Sequence, residues 1–139
     1  MTNSTQTDTD SSTGRFVLVV DDHELVRNLI VTILEDEGFS VLSATSGPAA
    51  IELFRERSRD VGCVLQDLSM PKMRGEEVIA ELLELDPDVR IIVMSVDDES
   101  SARRQLNDLE IVSYLQKPFE PEILVGKIRT LLSRKVAES

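Results

Sequence analysis

From Arg15 onward, short blocks of consecutive apolar residues alternate with longer stretches in which apolar residues recur every three or four positions. Phe16–Val20 is an uninterrupted β-prone run, the pattern of a strand buried on both faces. Leu25, Val26, Leu29, Ile30, Ile33 and Leu34 then recur at helical spacing, and Gly38 is the expected stop. Ser40–Ala44 reads as a second strand. Ser46 is placed to cap a helix with Pro48 near its start and Ala50, Ile51, Leu53 and Phe54 on its apolar face. Val61–Gln66 predicts a third strand; Val78, Ile79, Leu82 and Leu83 mark a helix stopped before Pro87; Val89–Met94 predicts a fourth strand. Glu99–Leu106 is a weakly amphipathic helix and Ile111–Leu115 a fifth strand. Pro121 opens a last helix with Ile123, Leu124, Ile128, Leu131 and Leu132 inward, interrupted by Gly126. Five strands alternating with five helices predict an α/β fold: a five-stranded parallel sheet with helices on both faces, doubly wound into three layers by right-handed crossovers.

Composition narrows the field. The 139 residues carry 15 Lys and Arg against 26 Asp and Glu, a net charge of −11. That balance opposes direct binding to nucleic acid or anionic membrane, where affinity comes chiefly from basic residues neutralising phosphate. The single cysteine, Cys63, sits in an apolar run, which excludes a disulfide framework or a multi-Cys metal site. Residues 1–14 are almost all polar and read as a disordered tail ahead of one domain over 15–135. No apolar run is long enough for a transmembrane helix or a secretory signal, so a cytoplasmic protein is expected.

In an open α/β sheet, ligands bind beyond the carboxyl ends of the strands. Here the first strand ends in Asp21-Asp22, the third in Asp67, the fourth in Ser95 and the fifth in Gln116-Lys117-Pro118. Each alone has a commonplace reading: a turn or helix cap, a loop carboxylate, a surface lysine. Together they bring three carboxylates, a hydroxyl and an ammonium to one edge. Such carboxylates need a cation among them or must titrate higher. All-oxygen donors favour a hard cation, Mg²⁺ or alternatively Mn²⁺. The set suits phosphoryl transfer, with metal and Lys117 neutralising phosphoryl oxygens while a carboxylate attacks in line.

Four stretches carry a family resemblance: Val17–Asp22, Asp67–Gly75, Ile92–Ser95 and Tyr114–Phe119. In this order, across residues 15 to 134, they resemble the receiver domain of two-component response regulators, a flavodoxin-like (βα)5 fold. The resemblance implies that Asp67 accepts a phosphoryl group from the phosphohistidine of a histidine kinase or phosphotransfer protein. It implies that Asp22, Asp67 and the Ser69 carbonyl bind Mg²⁺, with Asp21 acting partly through a metal-bound water. Lys117 would pair with the phosphoryl oxygens and precede a cis Pro118. Ser95 would turn its hydroxyl onto the phosphoryl group. Tyr114 would swing inward and reshape the face of helix four, strand five and helix five that a downstream protein reads.

Some positions depart from the family pattern. Val96 replaces a usually small residue after Ser95, and Gln66 a usually apolar one before Asp67. Ser69 and Asp97 occupy the variable positions that tune attack by water, and His23 reads as helix-start surface. The expectation is a phosphoacceptor rather than an enzyme, monomeric or weakly dimerising on phosphorylation, working as a single-domain regulator without an output domain. A receiver excised from a hybrid histidine kinase is the alternative. A haloacid-dehalogenase-like phosphatase would need an Asp where Ser69 stands, and a flavodoxin-like mononucleotide binder would not place Asp21-Asp22 in its phosphate loop.

Overall fold

The computed structural model describes residues 16–70, 73–107, 109–111 and 113–138. Along them run β1 (Phe16–Val20), α1 (Glu24–Asp36), β2 (Ser40–Ala44), α2 (Gly47–Arg57), β3 (Val61–Asp67), α3 (Gly75–Leu85), β4 (Ile91–Ser95), α4 (Glu99–Leu106), β5 (Ser113–Gln116) and α5 (Pro121–Glu138). The strands form one parallel sheet in the order β2-β1-β3-β4-β5. All seven residues of the central β3 are buried, as a strand covered on both faces requires. Alternate strand residues feed two cores. Leu18, Val20, Val64 and Val93 pack with Phe54, Val78, Ile79, Leu82 and Leu106, so α2, α3 and α4 cover one face. Val17, Val19, Leu65, Ile92 and Met94 pack with Ile30, Leu34, Leu124 and Ile128, so α1 and α5 cover the other.

Local signals act as the sequence suggests. The Ser46 hydroxyl accepts the N–H of Ala49 at 3.2 Å and caps α2, which carries Pro48 in its first turn. Gly38 holds φ +93° after α1, a left-handed conformation that terminates the helix without steric cost. Gly75 answers a different need: a Cβ there would lie 2.6 Å from the Asp67 carbonyl oxygen and 2.6 Å from Leu68 Cα. A bare backbone lets α3 begin directly against the end of β3.

Three expectations are corrected. Leu25 and Leu29, counted with the apolar positions of α1, are 85% and 60% exposed, and the buried stripe is Ile30 and Leu34 with Val26 and Ile33 partly covered. Ile123, expected inward on α5, is 52% exposed, while Leu124 is buried as expected and Val125 is buried as well. Two strands start later than the apolar run implied. The Val89 N–H bonds back to the Asp86 carbonyl, so the chain is still closing the turn after α3 when the apolar run begins. β5 pairs with β4 only from Ile92↔Ser113 onward, which leaves Ile111 packed against the core but outside the ladder. The tail at 1–14 lies outside the described residues, as do Pro71, Lys72 and Val112.

Candidate functional site

The strand order reverses between β1 and β3, because β2 lies on one side of β1 and β3 on the other. Crevices open at the carboxyl ends of strands flanking such a reversal. Asp21 follows β1 and Asp67 ends β3, so both carboxylates fall at this crevice. Both are buried, Asp21 completely and Asp67 to within 1%.

Lys117, immediately after β5, joins them. Its Nζ donates to Asp21 Oδ2 at 3.1 Å and to Asp67 Oδ1 at 3.2 Å. The Lys117 backbone N–H is held by the Ser95 carbonyl at 2.8 Å, and the Lys117–Pro118 peptide is cis. Asp21 Oδ1 accepts the His23 N–H at 2.9 Å, and the Arg27 guanidinium donates to the Asp21 carbonyl at 2.9 Å. Asp67 Oδ1 also receives the Ser69 N–H at 3.4 Å. Two carboxylate oxygens, Asp22 Oδ1 and Asp67 Oδ2, are buried with no hydrogen-bond partner. The Lys117 ammonium thus serves two carboxylates at once, and Asp22 follows Asp21 in the chain. Burial raises the pKa of Asp67, and the charge of Asp21 adds to this; Lys117 and the Ser69 N–H pull the other way without cancelling it. For Lys117, burial favours the neutral amine, but Asp67 and then Asp21 outweigh it and hold the ammonium above its ordinary pKa.

The remaining candidates frame the cluster. The Ser95 hydroxyl is buried and accepts the Asp97 N–H at 3.0 Å. Val96 is 61% exposed at the start of the β4–α4 loop, which excludes a core role for its side chain. The Gln116 carboxamide donates to the Val96 carbonyl at 3.2 Å and ties that loop to β5. Ser69 is exposed, with its hydroxyl outside the buried cluster. The Tyr114 hydroxyl is buried without a partner; burial first, then Asp98, Asp97 and Glu99, raise its pKa. A ligand atom from each of Asp21, Asp22 and the exposed His23 lies within 4.8 Å of the others. Sequence reasoning missed the double engagement of Lys117 and the support from Arg27. The first has no signal in spacing because β1 and Lys117 meet only through the sheet; Arg27 is six residues from Asp21, but its bond goes to a backbone carbonyl that residue type does not mark.

The model of the response regulator receiver domain family matches residues 17–129. The chain belongs to this family. Among curated relatives, this receiver is 32% identical to the chemotaxis protein CheY of Thermotoga maritima, over 81% of this chain and 92% of that protein. It is 35% identical to the probable transcriptional regulator ycf27 of Guillardia theta and 32% identical to the sensor kinase CckA of Brucella abortus, over 91% of this chain in each case. The chain spans about half (49%) of the ycf27 protein and 13% of CckA. Among solved structures, a receiver domain protein from Clostridium thermocellum superposes with a TM-score of 0.82 at 25% identity, over 89% of this chain and 98% of that one.

Receiver domains are phosphoacceptors of two-component signalling that bind Mg²⁺ at an acidic pocket. The residues present here fit that ion: the donors are all oxygens, and two buried carboxylate oxygens have no other partner. Among the described residues no helix is long and apolar enough to cross a membrane.

Proposed function

We propose that Asp67 takes a phosphoryl group from the phosphohistidine of a kinase or phosphotransfer protein. An Asp67 carboxylate oxygen forms the new bond to phosphorus, the phosphorus–nitrogen bond of the donor breaks, and the imidazole leaves with the electron pair. The observation that carries this reading is the Lys117 ammonium lying on Asp67 and Asp21 together. It holds the nucleophile in place and sits where it can follow the phosphoryl oxygens once Asp67 carries the acyl phosphate. Asp22, Asp67 and the Ser69 carbonyl would hold Mg²⁺ directly, with Asp21 as an outer partner. The assignment of Asp22 rather than Asp21 to direct contact is supported by Asp22 Oδ1 being unpartnered, while both Asp21 oxygens are engaged. The ion supplies positive charge to the phosphoryl oxygens.

After transfer, the Ser95 hydroxyl leaves the Asp97 N–H and donates to a phosphoryl oxygen, drawing in the β4–α4 loop. Tyr114 follows, and the face of α4, β5 and α5 changes shape. A shallow, open depression between β5 and α5, lined by Ser113, Ile123, Gly126 and Lys127, lies on that face. Acetyl phosphate with Mg²⁺ should add one base-labile phosphoryl group, read by intact mass. Undiminished modification of Asp67→Asn would refute Asp67 as acceptor. The kinase and the target are proteins, and Asp22→Ala should abolish Mg²⁺ binding in a metal titration.

A further inference from the structure

Gln66 is an unusual neighbour for a phosphoacceptor. It is fully buried, its Nε2 donates to the Asp67 carbonyl at 2.9 Å and lies 3.9 Å from Met70 Sδ, and its Oε1 has no partner. A buried amide oxygen without a donor is costly, and such groups in native proteins call for an explanation. A complementary orphan, the Tyr114 hydroxyl, also buried and unpartnered, lies in the same row of the sheet. Gln66 pairs with Val93 across β3 and β4, and Val93 pairs with Tyr114 across β4 and β5. All three belong to one face: Val93 is in the core beneath α2, α3 and α4, Tyr114 packs against that core, and Gln66 reaches its Met70. Two strand spacings separate the Gln66 and Tyr114 backbones, about 9.5 Å. Only the short Val93 side chain lies between two long ones, one ending in an acceptor and the other in a donor.

We propose that Gln66 is a positioning residue of the switch: its Oε1 accepts the Tyr114 hydroxyl when the ring turns inward, linking the ring to the Asp67 backbone through one carboxamide. The pairing satisfies both orphans at once and favours the switched arrangement over the unphosphorylated one. This inference rests on the phosphoacceptor reading given above. In the described arrangement the phenol instead lies near the acidic Asp97, Asp98 and Glu99.

The chain contains one tyrosine and no tryptophan, so its intrinsic emission and its only phenolic hydroxyl both report on Tyr114. The test uses the full chain with beryllium fluoride and Mg²⁺ as the phosphoryl mimic. In the wild type the mimic should change the emission and slow exchange of the Tyr114 hydroxyl proton, read by NMR of tyrosine labelled at Cζ. In Gln66→Met, similar in shape but without the acceptor, hydroxyl protection should fall at least tenfold and the mimic should bind several-fold more weakly. Acetyl phosphate should still modify Asp67. Tyr114→Phe should weaken the mimic by a similar factor, and the double variant should lose no more than either single one. Equal protection and affinity in Gln66→Met and wild type would overturn the pairing. So would an unprotected hydroxyl in mimic-saturated wild type, a result that needs no variant to fold. A wild type that gains no mass from acetyl phosphate refutes the phosphoacceptor reading itself; normal mass gain with an unresponsive Tyr114 overturns the Gln66 role alone.

Discussion

Replacing Asp67 by Asn should make the unphosphorylated protein more stable while abolishing its phosphorylation. Asp67 is 1% exposed and has two electrostatic neighbours of opposite effect. Lys117 lies 3.2 Å from Oδ1, an attraction of about 5 kcal/mol at an effective dielectric of 20. The facing Asp21 oxygen is bonded to the same ammonium at 3.1 Å, so the two carboxylate oxygens are at most about 6.3 Å apart, and their repulsion is at least about 2.6 kcal/mol on the same scale. Desolvation of a buried carboxylate adds several kcal/mol more. The costs win, as the raised pKa of Asp67 states. Ionised Asp67 therefore destabilises the fold at every pH above that raised value, and the penalty vanishes as pH falls below the ordinary 3.8. Asn keeps the shape, accepts from Lys117 and carries no charge, and it leaves Lys117 paired with Asp21. The gain expected at pH 7 is on the order of 1 kcal/mol, which for a chain of this size raises the melting temperature by roughly 3–5 °C. Thermal unfolding in EDTA measures it. Adding Mg²⁺ should narrow the gap, because the ion stabilises the wild type by mass action and has lost a ligand in the variant. An Asp67→Asn protein melting at or below the wild type in EDTA, or a gap that widens with Mg²⁺, would refute the electrostatic account.

If the exposed Val96 side chain gates in-line approach to Asp67, Val96→Ala should raise phosphorylation by acetyl phosphate and autodephosphorylation together, each several-fold or about 1 kcal/mol of barrier; unchanged rates in a phosphorylation time course would reject the gate. Gly126→Ala should stabilise by about 0.5–1 kcal/mol, since a Cβ there meets nothing within 4 Å and the glycine is an exposed interior position of α5; denaturant unfolding measures it, and a lower midpoint would contradict the open space. Stability should fall at alkaline pH as Lys117 deprotonates. Its raised pKa contributes stability that is complete below the ordinary 10.5 and lost as pH rises through the folded value, so Lys117→Met should flatten that limb of a pH-dependent melt.

The sequence made the architecture readable because the period of its apolar residues changes with each element. β1, β2 and α4 coincide with their expected bounds; β1 is a closed apolar run, and α4 begins where the Asp98 side chain accepts the Ser101 N–H at 2.8 Å. β4 begins late because Val89 is still closing the turn after α3, and β5 because its ladder with β4 starts only at Ser113; apolar composition records neither. Leu25, Leu29 and Ile123 show the limit of helical periodicity in another way. The spacing identifies a stripe, but a stripe wider than the sheet beneath it leaves its flank in solvent. On α1 the covered positions are those that meet Leu65 and Leu124 across the core, while Leu25 and Leu29 lie one step around the helix.

The site was legible as a list of strand ends and opaque as a set of bonds. Placing Asp21, Asp67 and Lys117 at one edge needs only the rule that strand termini converge. That Lys117 holds both carboxylates at once, leaving one oxygen of Asp67 and one of Asp22 without partners, depends on how far each side chain reaches across β1, β3 and the end of β5. This difference has a chemical consequence. A pocket whose charges were fully paired would have no use for a metal or a phosphoryl group. Here burial first, and then the charge of Asp21, raise the pKa of Asp67 against the pull of Lys117, and a buried carboxylate left so incompletely compensated suits a divalent cation. On the proposed function, a bound Mg²⁺ would relieve the repulsion between the carboxylates, and Lys117 would neutralise phosphoryl oxygens where it now faces Asp21 and Asp67. The cost of holding Asp67 ionised and the proposed response to a phosphoryl group therefore share one origin, a buried and incompletely compensated carboxylate, so substitutions that stabilise the fold by removing its charge should also silence it.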